Sequence, residues 1–344
     1  MDFKVYLKDV AQEIDQEIER FSRIWLEEVR EVSPTLVPLA QVLIENCAGG
    51  KRLRGTLVKL GYEIGEDHLG GEIIKVGAAY EIFQTAILAH DDIIDQSDLR
   101  RGKPTIYKQL GGGHYGISQT IALADIGFFL TVRLISEANF PEDRKNRAIS
   151  AFAQTVINTG LGEVLDVELP HLKGDRVDKE VIIIHKLKTA YYTIIDPLQL
   201  GAILAGGSQK LLNNLEEFGE NLGIAFQVQD DILGVFGDEK TLGKSATSDI
   251  EEGKNTLLIT QAAKLANPSQ RKILDKYYGK GNVGNRGLEA VRKVFTDSGS
   301  LAYSRQKALQ YVNQAKKVIV KITPDKRLAK LLAYMADFLI ERDR

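Results

Sequence analysis

Residues 77–95 read GAAYEIFQTAILAHDDIID, and their pattern indicates the kind of fold to expect. It is apolar nearly all round, which is typical of a helix buried in a protein core. It ends in a cluster of carboxylates formed by Asp91, Asp92 and Asp95. Asp91 and Asp95 are four positions apart and share a helix face, where two anions repel each other and oppose the helix dipole. The pattern therefore predicts a positive partner close to this cluster.

A second apolar segment repeats this arrangement further along the chain. Residues 221–229 read NLGIAFQVQ and are followed directly by Asp230 and Asp231. Gln227, Asp230 and Asp231 occupy positions i, i+3 and i+4 of one helix face. Either cluster alone is compatible with helix caps or solvated charges, but two clusters on two buried helices indicate a chemical role. Hard carboxylate oxygens without a cysteine or histidine cluster suit Mg²⁺, whose shell is completed by water and substrate phosphate.

The remaining sequence predicts an all-α fold. Apolar residues recur every three or four positions in eight segments, which are 8–31, 73–95, 117–138, 145–169, 178–195, 198–206, 211–236 and 301–321. The one β-like run is Val181–Ile184, and the Gly-rich stretch 278–287 is typical of a surface loop. Because no linker and no change in composition divides the chain, we expect a single all-α domain over residues 1–344.

Composition excludes several classes of protein. The chain has 344 residues, of which 44% are hydrophobic and 27% charged, a globular balance. Its net charge of −2 argues against a general nucleic-acid binder. Cys47 is the single cysteine, so no intrachain disulfide can form. The N-terminus lacks a signal-peptide profile and no apolar run is long enough to span a bilayer. We therefore expect a cytoplasmic protein without stable membrane insertion.

Basic residues lie near both carboxylate clusters in sequence. They are Lys51, Arg52, Arg54, Arg100, Arg101, Lys103, Lys186, Lys188, Lys244 and Lys254. Each of them alone is compatible with an ordinary solvated charge. Arginine binds phosphate in a bidentate manner and lysine binds it as a point charge, so cations beside Mg²⁺-type carboxylates indicate a diphosphate substrate. The apolar helices predict a cavity that holds one or two such substrates.

Several motifs resemble those of the trans-prenyl diphosphate synthases. His90–Asp95, followed by Arg100–Pro104, resembles the first aspartate-rich motif of that family. The other family motifs follow in the expected order at Gly50–Arg54, Lys188–Ala190, Phe226–Asp231, Gly243–Lys244 and Asp249–Lys254. The resemblance implies one large helical bundle around a deep central cavity, and a homodimer. It also implies Mg²⁺-dependent condensation of isopentenyl diphosphate with dimethylallyl, geranyl or farnesyl diphosphate.

The chain departs from the family pattern at four places. These are Gly234 in place of a third aspartate, Gly55 in place of a proline, Ala124-Asp125 in place of Gly-Asp, and Ser245–Ser248 without its usual glycine. The first departure leaves only Asp230 and Asp231 in the second cluster. We expect Asp230 to be the direct metal ligand there.

The resemblance assigns a role to each motif residue. Three Mg²⁺ ions are expected on Asp91, Asp95 and Asp230, supported by Asp92 and Asp231. The cations expected on the allylic diphosphate are Arg100, Lys188, Lys244 and Lys254, and the dipoles expected to face the allylic carbocation are Thr189 and Gln227. The residues expected to hold isopentenyl diphosphate are Lys51, Arg52, Gln84 and Arg101. The departed diphosphate takes the proton, so His90 and His185 are expected to be structural.

Product length is expected to depend on the helix that leads to Asp91. Ala86 and Ile87 lie five and four positions before Asp91, where members that stop at fifteen carbons usually carry an aromatic ring. The growing tail is therefore expected to pass this level and to stop at Phe83 and Tyr80. This predicts geranylgeranyl diphosphate, with farnesyl or longer polyprenyl diphosphate as alternatives.

Three other functions remain alternatives at this point. One is a terpene cyclase or head-to-head synthase, although the basic motif at residues 50–54 argues against it. Another is a non-catalytic subunit of a heteromeric synthase, although such subunits generally lose their acidic clusters. The third is a helical scaffold whose carboxylates are simply solvated. A magnesium-dependent assay with isopentenyl and farnesyl diphosphates distinguishes all of them.

Overall fold

The structure, a computed structural model, describes residues 2–66, 68, 71–171, 177–237 and 246–341. It is 83% helical. Within the described ranges, strands are confined to β1 (Leu99–Arg100) and β2 (Lys103–Pro104), which form an antiparallel pair. The all-α fold class predicted from the sequence is confirmed.

The helices are named in chain order. They are α1 (Phe3–Val32), α2 (Val37–Cys47), α3 (Leu53–Ile64), α4 (Ile73–Ile94), α5 (Ile106–Gln109), α6 (Gly113–Glu137), α7 (Glu142–Glu168), α8 (Asp178–Ile184), α9 (Asp196–Leu204), α10 (Gln209–Phe236), α11 (Ser248–Glu252), α12 (Leu257–Leu265), α13 (Pro268–Tyr277), α14 (Gly284–Asp297), α15 (Ser300–Ile322) and α16 (Lys326–Ile340). Short 3₁₀ turns cover Pro34–Leu36 and Leu169–His171, and a π-helix covers His185–Ile195.

Two predicted boundaries are wrong. The segment 178–195 was expected to be one α-helix, but it is α8 followed by the π-helix, a change that three-and-four spacing does not reveal. The loop expected over 278–287 ends earlier, because α14 begins at Gly284 and buries Leu288 and Val291. The β-like run Val181–Ile184 lies in α8, where its two end residues are buried.

The chain folds into two compact units. The first consists of Met1–Ala153 and Asp196–Leu215, and the second of Gln154–Ile195 and Glu216–Arg344. In the first unit, α4 packs against α1, α3 and α6. This environment buries α4 on most sides, as its apolar sequence predicts.

The second unit has its own hydrophobic core. The part of α10 in this unit contributes Ile224, Val228, Ile232 and Val235, which recur every three or four positions and are buried. They pack with apolar residues of α12 and α14. This packing fixes the position of α10, the helix that also carries the second carboxylate cluster.

Helix α6 corrects one expectation about the membrane. Among the described residues, it is the one helix long and apolar enough to cross a bilayer by length and composition. The sequence was expected to contain no such segment. Core helices of globular proteins pass the same test, and α6 packs along α4 in the first unit.

Candidate active site

The first carboxylate cluster lies at the C-terminal end of α4, with a cation beside it. After α4 the chain turns at Gln96, whose φ is 52°, and the β1–β2 hairpin brings Arg100 back to the helix end. Arg100 donates from Nε to Asp92 Oδ1 over 2.6 Å and from Nη2 to Asp91 Oδ2 over 2.9 Å. The positive partner predicted from the sequence is therefore present, and it is Arg100.

The environment of Asp92 disfavours its charged form. Burial, aided by the charges of Asp91 and Asp95, raises the pKa of Asp92 to about 6 against the opposing effect of Arg100. Asp92 is only 3% exposed. The donor set consists of hard carboxylate oxygens that repel one another, so it fits Mg²⁺.

A group of guanidinium side chains surrounds Glu81 in the first unit. Glu81 is buried on α4 and accepts a hydrogen bond of 2.8 Å from the Gly55 backbone N–H. In the amide orientation that satisfies both neighbours, Gln84 donates to Glu81 Oε2 over 3.0 Å and accepts from Arg54 Nη1 over 2.7 Å. Arg52 donates from Nε to Asp15 Oδ1 over 2.7 Å, and its Nη1 lies 3.8 Å from Glu81 Oε2. Arg52 is thus oriented by carboxylates of its own unit.

Arg101 completes this group, which we call the guanidinium cluster (Arg52, Arg54 and Arg101 around Glu81 and Gln84). Loss of hydration lowers the pKa of Arg101, and the positive charge of Arg54, Arg100 and Arg52 lowers it further, whereas Glu81 raises it. A Cβ on Gly50, whose φ is 88°, would lie 3.0 Å from Arg101 Nη1, so the glycine loop lies directly on this guanidinium. Concentrated positive charge of this kind suits a diphosphate.

The sequence interpretation missed one member of the cluster. Arg54 was recognised as part of the basic motif but was not assigned to a substrate. The structure places it against Gln84 on the inner side of α3, where it is buried. Lys51, by contrast, lies exposed in the loop before α3. A signal was available, because Arg54 follows Lys51 and Arg52 in the same basic motif, at the start of a helix.

The structure explains one departure from the family pattern. Gly55 donates its backbone N–H to Glu81, which a proline at this position could not do. A Cβ at Gly55 would also lie 2.7 Å from the Gly77 carbonyl oxygen, so α3 and α4 approach closely here. Glycine therefore keeps Glu81 satisfied at the centre of the guanidinium cluster.

In the second unit, the π-helix presents Lys188 and Thr189. A Cβ on Gly162 of α7 would lie 2.4 Å from the Lys188 backbone nitrogen, and one on Gly223 of α10 would lie 2.4 Å from Ala190 Cβ. Glycines at both contacts let these two helices approach the π-helix backbone closely. Irregular helical turns of this type frequently occur at functional sites.

Two acidic residues that the sequence interpretation missed hold Lys188. Its Nζ lies 2.7 Å from Glu163 Oε2 and 2.8 Å from Asp166 Oδ2, both on α7. The two acids are three positions apart and share a helix face, which is the signal that could have identified them. The two carboxylates thus fix the position of the Lys188 side chain.

A hydrogen-bonded chain connects Thr189 to the second carboxylate cluster. Thr189 Oγ1 donates to Gln227 Oε1 over 2.7 Å, and Gln227 Nε2 donates to Asp231 Oδ1 over 2.8 Å. The Nε2 atom of buried His185 lies 3.0 Å from Asp231 Oδ2. Asp230, the neighbouring carboxylate, is partly exposed. The structure thus brings Thr189, Gln227 and Asp231 together, and His185 joins them.

Of the two remaining predicted cations, Lys254 lies among the described residues and Lys244 does not. Lys254 lies 3.2 Å from Glu252 Oε2 and 3.7 Å from buried Asp249, next to the turn that ends α11. Lys244 and Ser245 lie outside the described residues. The role predicted for Lys244 therefore stays a prediction.

The residues expected to limit product length lie deep in the first unit. Tyr80, Phe83 and Ala86 are fully buried, and Ile87 is partly buried. Tyr80 donates from its hydroxyl to Asp196 Oδ2 over 2.9 Å. Two rings that the sequence did not single out pack against Phe83, with centroid distances of 4.8 Å for Phe152 and 5.6 Å for Phe128.

Comparison with known proteins agrees with this geometry. The sequence model of the polyprenyl synthetase family matches residues 37–295. The chain is 32% identical to a geranylgeranyl diphosphate synthase of Sulfolobus acidocaldarius, over 86% of this chain and 88% of that protein. It is 31% identical to a geranylfarnesyl diphosphate synthase of Aeropyrum pernix, over 86% and 91%.

A solved structure has the same fold across almost the whole chain. It is geranylgeranyl pyrophosphate synthase from Corynebacterium glutamicum, complexed with isoprenyl diphosphate and magnesium, with a TM-score of 0.89 and 25% identity. The match covers 99% of this chain and 100% of that one. The chain therefore belongs to the polyprenyl synthetase family, and it is a trans-prenyltransferase.

Proposed function

We propose that this trans-prenyltransferase condenses isopentenyl diphosphate with an allylic diphosphate and releases geranylgeranyl diphosphate. The observation that carries the proposal is the distribution of charge along α4. Its C-terminal end presents Asp91 and Asp92 beside Arg100, and the guanidinium cluster lies beside Glu81 and Gln84, about two to three turns earlier. One helix thus serves a metal-type site and an anion-type site, as a reaction between two diphosphates requires.

The carboxylates and cations act on the allylic diphosphate. Mg²⁺ would be held by Asp91, Asp95 and Asp230, with Asp92 and Asp231 in support, as the family resemblance implies. When bound, Mg²⁺ neutralises the developing charge on the leaving diphosphate. Further positive charge comes from Arg100 and Lys188, and from Lys244 and Lys254.

Dipoles and apolar surface protect the allylic carbocation that remains when the carbon–oxygen bond breaks. Thr189 and Gln227 are fixed by their mutual hydrogen bond of 2.7 Å, so their oxygen atoms are in place before the charge develops. Apolar side chains exclude water, which would otherwise quench the cation.

Isopentenyl diphosphate is held by Lys51 together with the guanidinium cluster, where Gln84 and Arg101 bind it and Arg54 extends the set predicted from the sequence. Arg52 supports the cluster through its contacts with Asp15 and Glu81. The double bond of the bound substrate attacks the carbocation, and the departed diphosphate accepts the proton that is lost. No side-chain base is required.

The assembly and location of the enzyme are part of the proposal. The family match spans residues of both compact units, which supports a single functional domain over residues 1–344. The part of α7 in the second unit exposes Ile157, Leu161 and Val164, with exposures of 55%, 57% and 67%. An apolar stripe of this kind supports a homodimer. We place the enzyme in the cytoplasm, without stable membrane insertion.

The test is a condensation assay with purified protein. Labelled isopentenyl diphosphate is offered with dimethylallyl, geranyl or farnesyl diphosphate, with Mg²⁺ or with EDTA. We expect geranylgeranyl diphosphate as the main product and no product in EDTA. A main product of twenty-five carbons would instead favour the activity named for the Aeropyrum pernix relative. No condensation with any primer in Mg²⁺ would refute the proposal.

A further inference from the structure

Phe128 of α6 lies beside α4 at a level where α4 has no aromatic ring. Its ring centroid is 5.6 Å from that of Phe83 and 5.4 Å from that of His90. Phe83 and His90 are seven positions apart, which corresponds to about 10.5 Å along the helix axis. The Phe128 ring, in contact with both, therefore lies at the level of Ala86 and Ile87.

The packing of the two helices explains why this ring comes from α6. Ala86 is fully buried, and a Cβ on Gly127 would lie 2.7 Å from Ala86 Cβ. The α6 backbone thus occupies the space that a larger side chain at position 86 would need. Because Gly127 brings α6 this close, the next residue, Phe128, can place its ring alongside α4.

Phe128 also differs from the rings below it in its exposure. Phe83 is fully buried and makes edge contacts with Tyr80 at 5.4 Å and Phe152 at 4.8 Å between centroids. Phe128 keeps part of its surface exposed although Phe83 and His90 contact it. An apolar tail that extended from Asp91 along this face of α4 would meet Phe128 before it reached Phe83.

We infer that Phe128 is a specificity-determining residue that limits the length of the prenyl product. This inference rests on the proposed function, because it concerns the tail of the product of that reaction. It assigns the first aromatic barrier to α6 and leaves Phe83, Tyr80 and Phe152 as the deeper barrier. Removing the Phe128 ring opens space for about one further isoprene unit, since one helical turn and one extended unit both span about 5.4 Å.

The experiment compares Phe128→Ala with Phe129→Ala. Phe129 is the adjacent residue on the same helix and is 74% exposed, so it is a matched control for loss of a phenyl ring. Products made from labelled isopentenyl diphosphate are dephosphorylated and separated by chain length. We expect the main product of Phe128→Ala to lengthen by about one isoprene unit, and that of Phe129→Ala to match wild type. Phe128→Trp should shorten the product, and Phe128→Leu keeps the core filled if the alanine variant does not fold.

The outcomes separate the inference from the function beneath it. A wild-type enzyme that condenses no primer refutes the proposed function, and the inference with it. A wild-type enzyme that is active, with a product length that neither Phe128→Leu nor Phe128→Trp changes, overturns the inference alone. A shift of equal size in Phe129→Ala also overturns it, because the effect would then not depend on the ring beside α4.

Discussion

Arg100 donates a hydrogen bond of 2.6 Å from Nε to the buried carboxylate of Asp92. The family resemblance assigns Arg100 to the allylic diphosphate, but in the protein alone it neutralises a carboxylate of the metal-type cluster. Loss of hydration still outweighs this partner, since the pKa of Asp92 is raised to about 6. Asp92 is therefore a source of instability that Mg²⁺ is expected to relieve.

The first prediction concerns the stability of the metal-free protein. A carboxyl group with a raised pKa binds its proton more tightly in the folded state than in the unfolded state. The stability that Asp92 contributes is therefore lost as the pH rises from 3.8, the ordinary pKa of an aspartate, to about 6, its pKa in the folded protein. In EDTA, Asp92→Asn should raise the free energy of unfolding at pH 8 by about 1–3 kcal/mol and have little effect near pH 4.

Urea unfolding at the two pH values measures this difference. Asp98→Asn is the control, because Asp98 pairs with Lys108 at an exposed site and should change stability by less than about 1 kcal/mol at either pH. Equal stability of wild type and Asp92→Asn at pH 8 would contradict the prediction.

The second prediction separates catalysis from folding. Asp91→Ala or Asp230→Ala should nearly abolish turnover in Mg²⁺, because each removes an expected direct metal ligand. Neither variant should unfold, since loss of an acid from a cluster relieves repulsion. Turnover and circular dichroism measured on the same preparations check both statements. Full activity of either variant would show that these residues are ordinary surface acids.

The third prediction separates substrate contacts from support within the guanidinium cluster. Arg101→Ala and Lys51→Ala should raise the KM for isopentenyl diphosphate ten- to a hundredfold, since a charge-assisted contact is worth about 1.5–3 kcal/mol. Lys188→Ala should mainly raise the KM for the allylic substrate. Arg52→Ala should mainly destabilise the protein, because buried Arg52 pairs with Asp15 and Glu81. If Arg101→Ala and Lys188→Ala change both KM values equally, the assignment of the two substrates to separate sites is contradicted.

Sequence patterns were sufficient to predict a structural feature where that feature depends on residues close together along the chain. Helix α4 was expected over 73–95 and is found at Ile73–Ile94. The need for a cation near Asp91 followed from repulsion on one helix face, and Arg100 lies only nine positions away. Gln227 and Asp231 were placed together because they occupy one face of one helix.

Contacts between distant segments could not be predicted in this way. The pairing of Arg52 with Asp15 is one such contact, because the charge of Arg52 does not indicate which carboxylate it meets. The change from α8 to the π-helix keeps the same apolar residues, so periodicity does not reveal it. The position of the Phe128 ring beside α4 depends on the close approach of α6 to α4 at Gly127 and Ala86, which the sequence does not show.

The fourth prediction concerns Cys47, at the end of α2. Burial raises the pKa of its thiol to about 11, so almost no thiolate exists near pH 8. A disulfide reagent such as DTNB should fail to label the native protein at pH 8 and should label one thiol after unfolding in urea. Stability should fall as pH rises above about 9, where the unfolded thiol ionises first. Cys47→Ala provides the blank, and rapid labelling of the native protein would contradict the assigned burial.

The last prediction concerns Phe83, which the sequence singled out as the floor for the product tail. Its ring lies in a cluster with Tyr80, Phe128 and Phe152, and it is fully buried. Phe83→Ala should therefore lower the free energy of unfolding by about 3–5 kcal/mol, because a phenyl-sized cavity remains. The Phe128 ring packs against Phe83 with 5.6 Å between centroids, so it can move into the vacated space and let a longer tail pass. The product distribution should therefore shift beyond twenty carbons. Thermal unfolding and chromatography of dephosphorylated products measure the two effects on one sample. If wild type releases only the fifteen-carbon product, or if Phe83→Ala leaves the product distribution unchanged, Phe83 is not the floor.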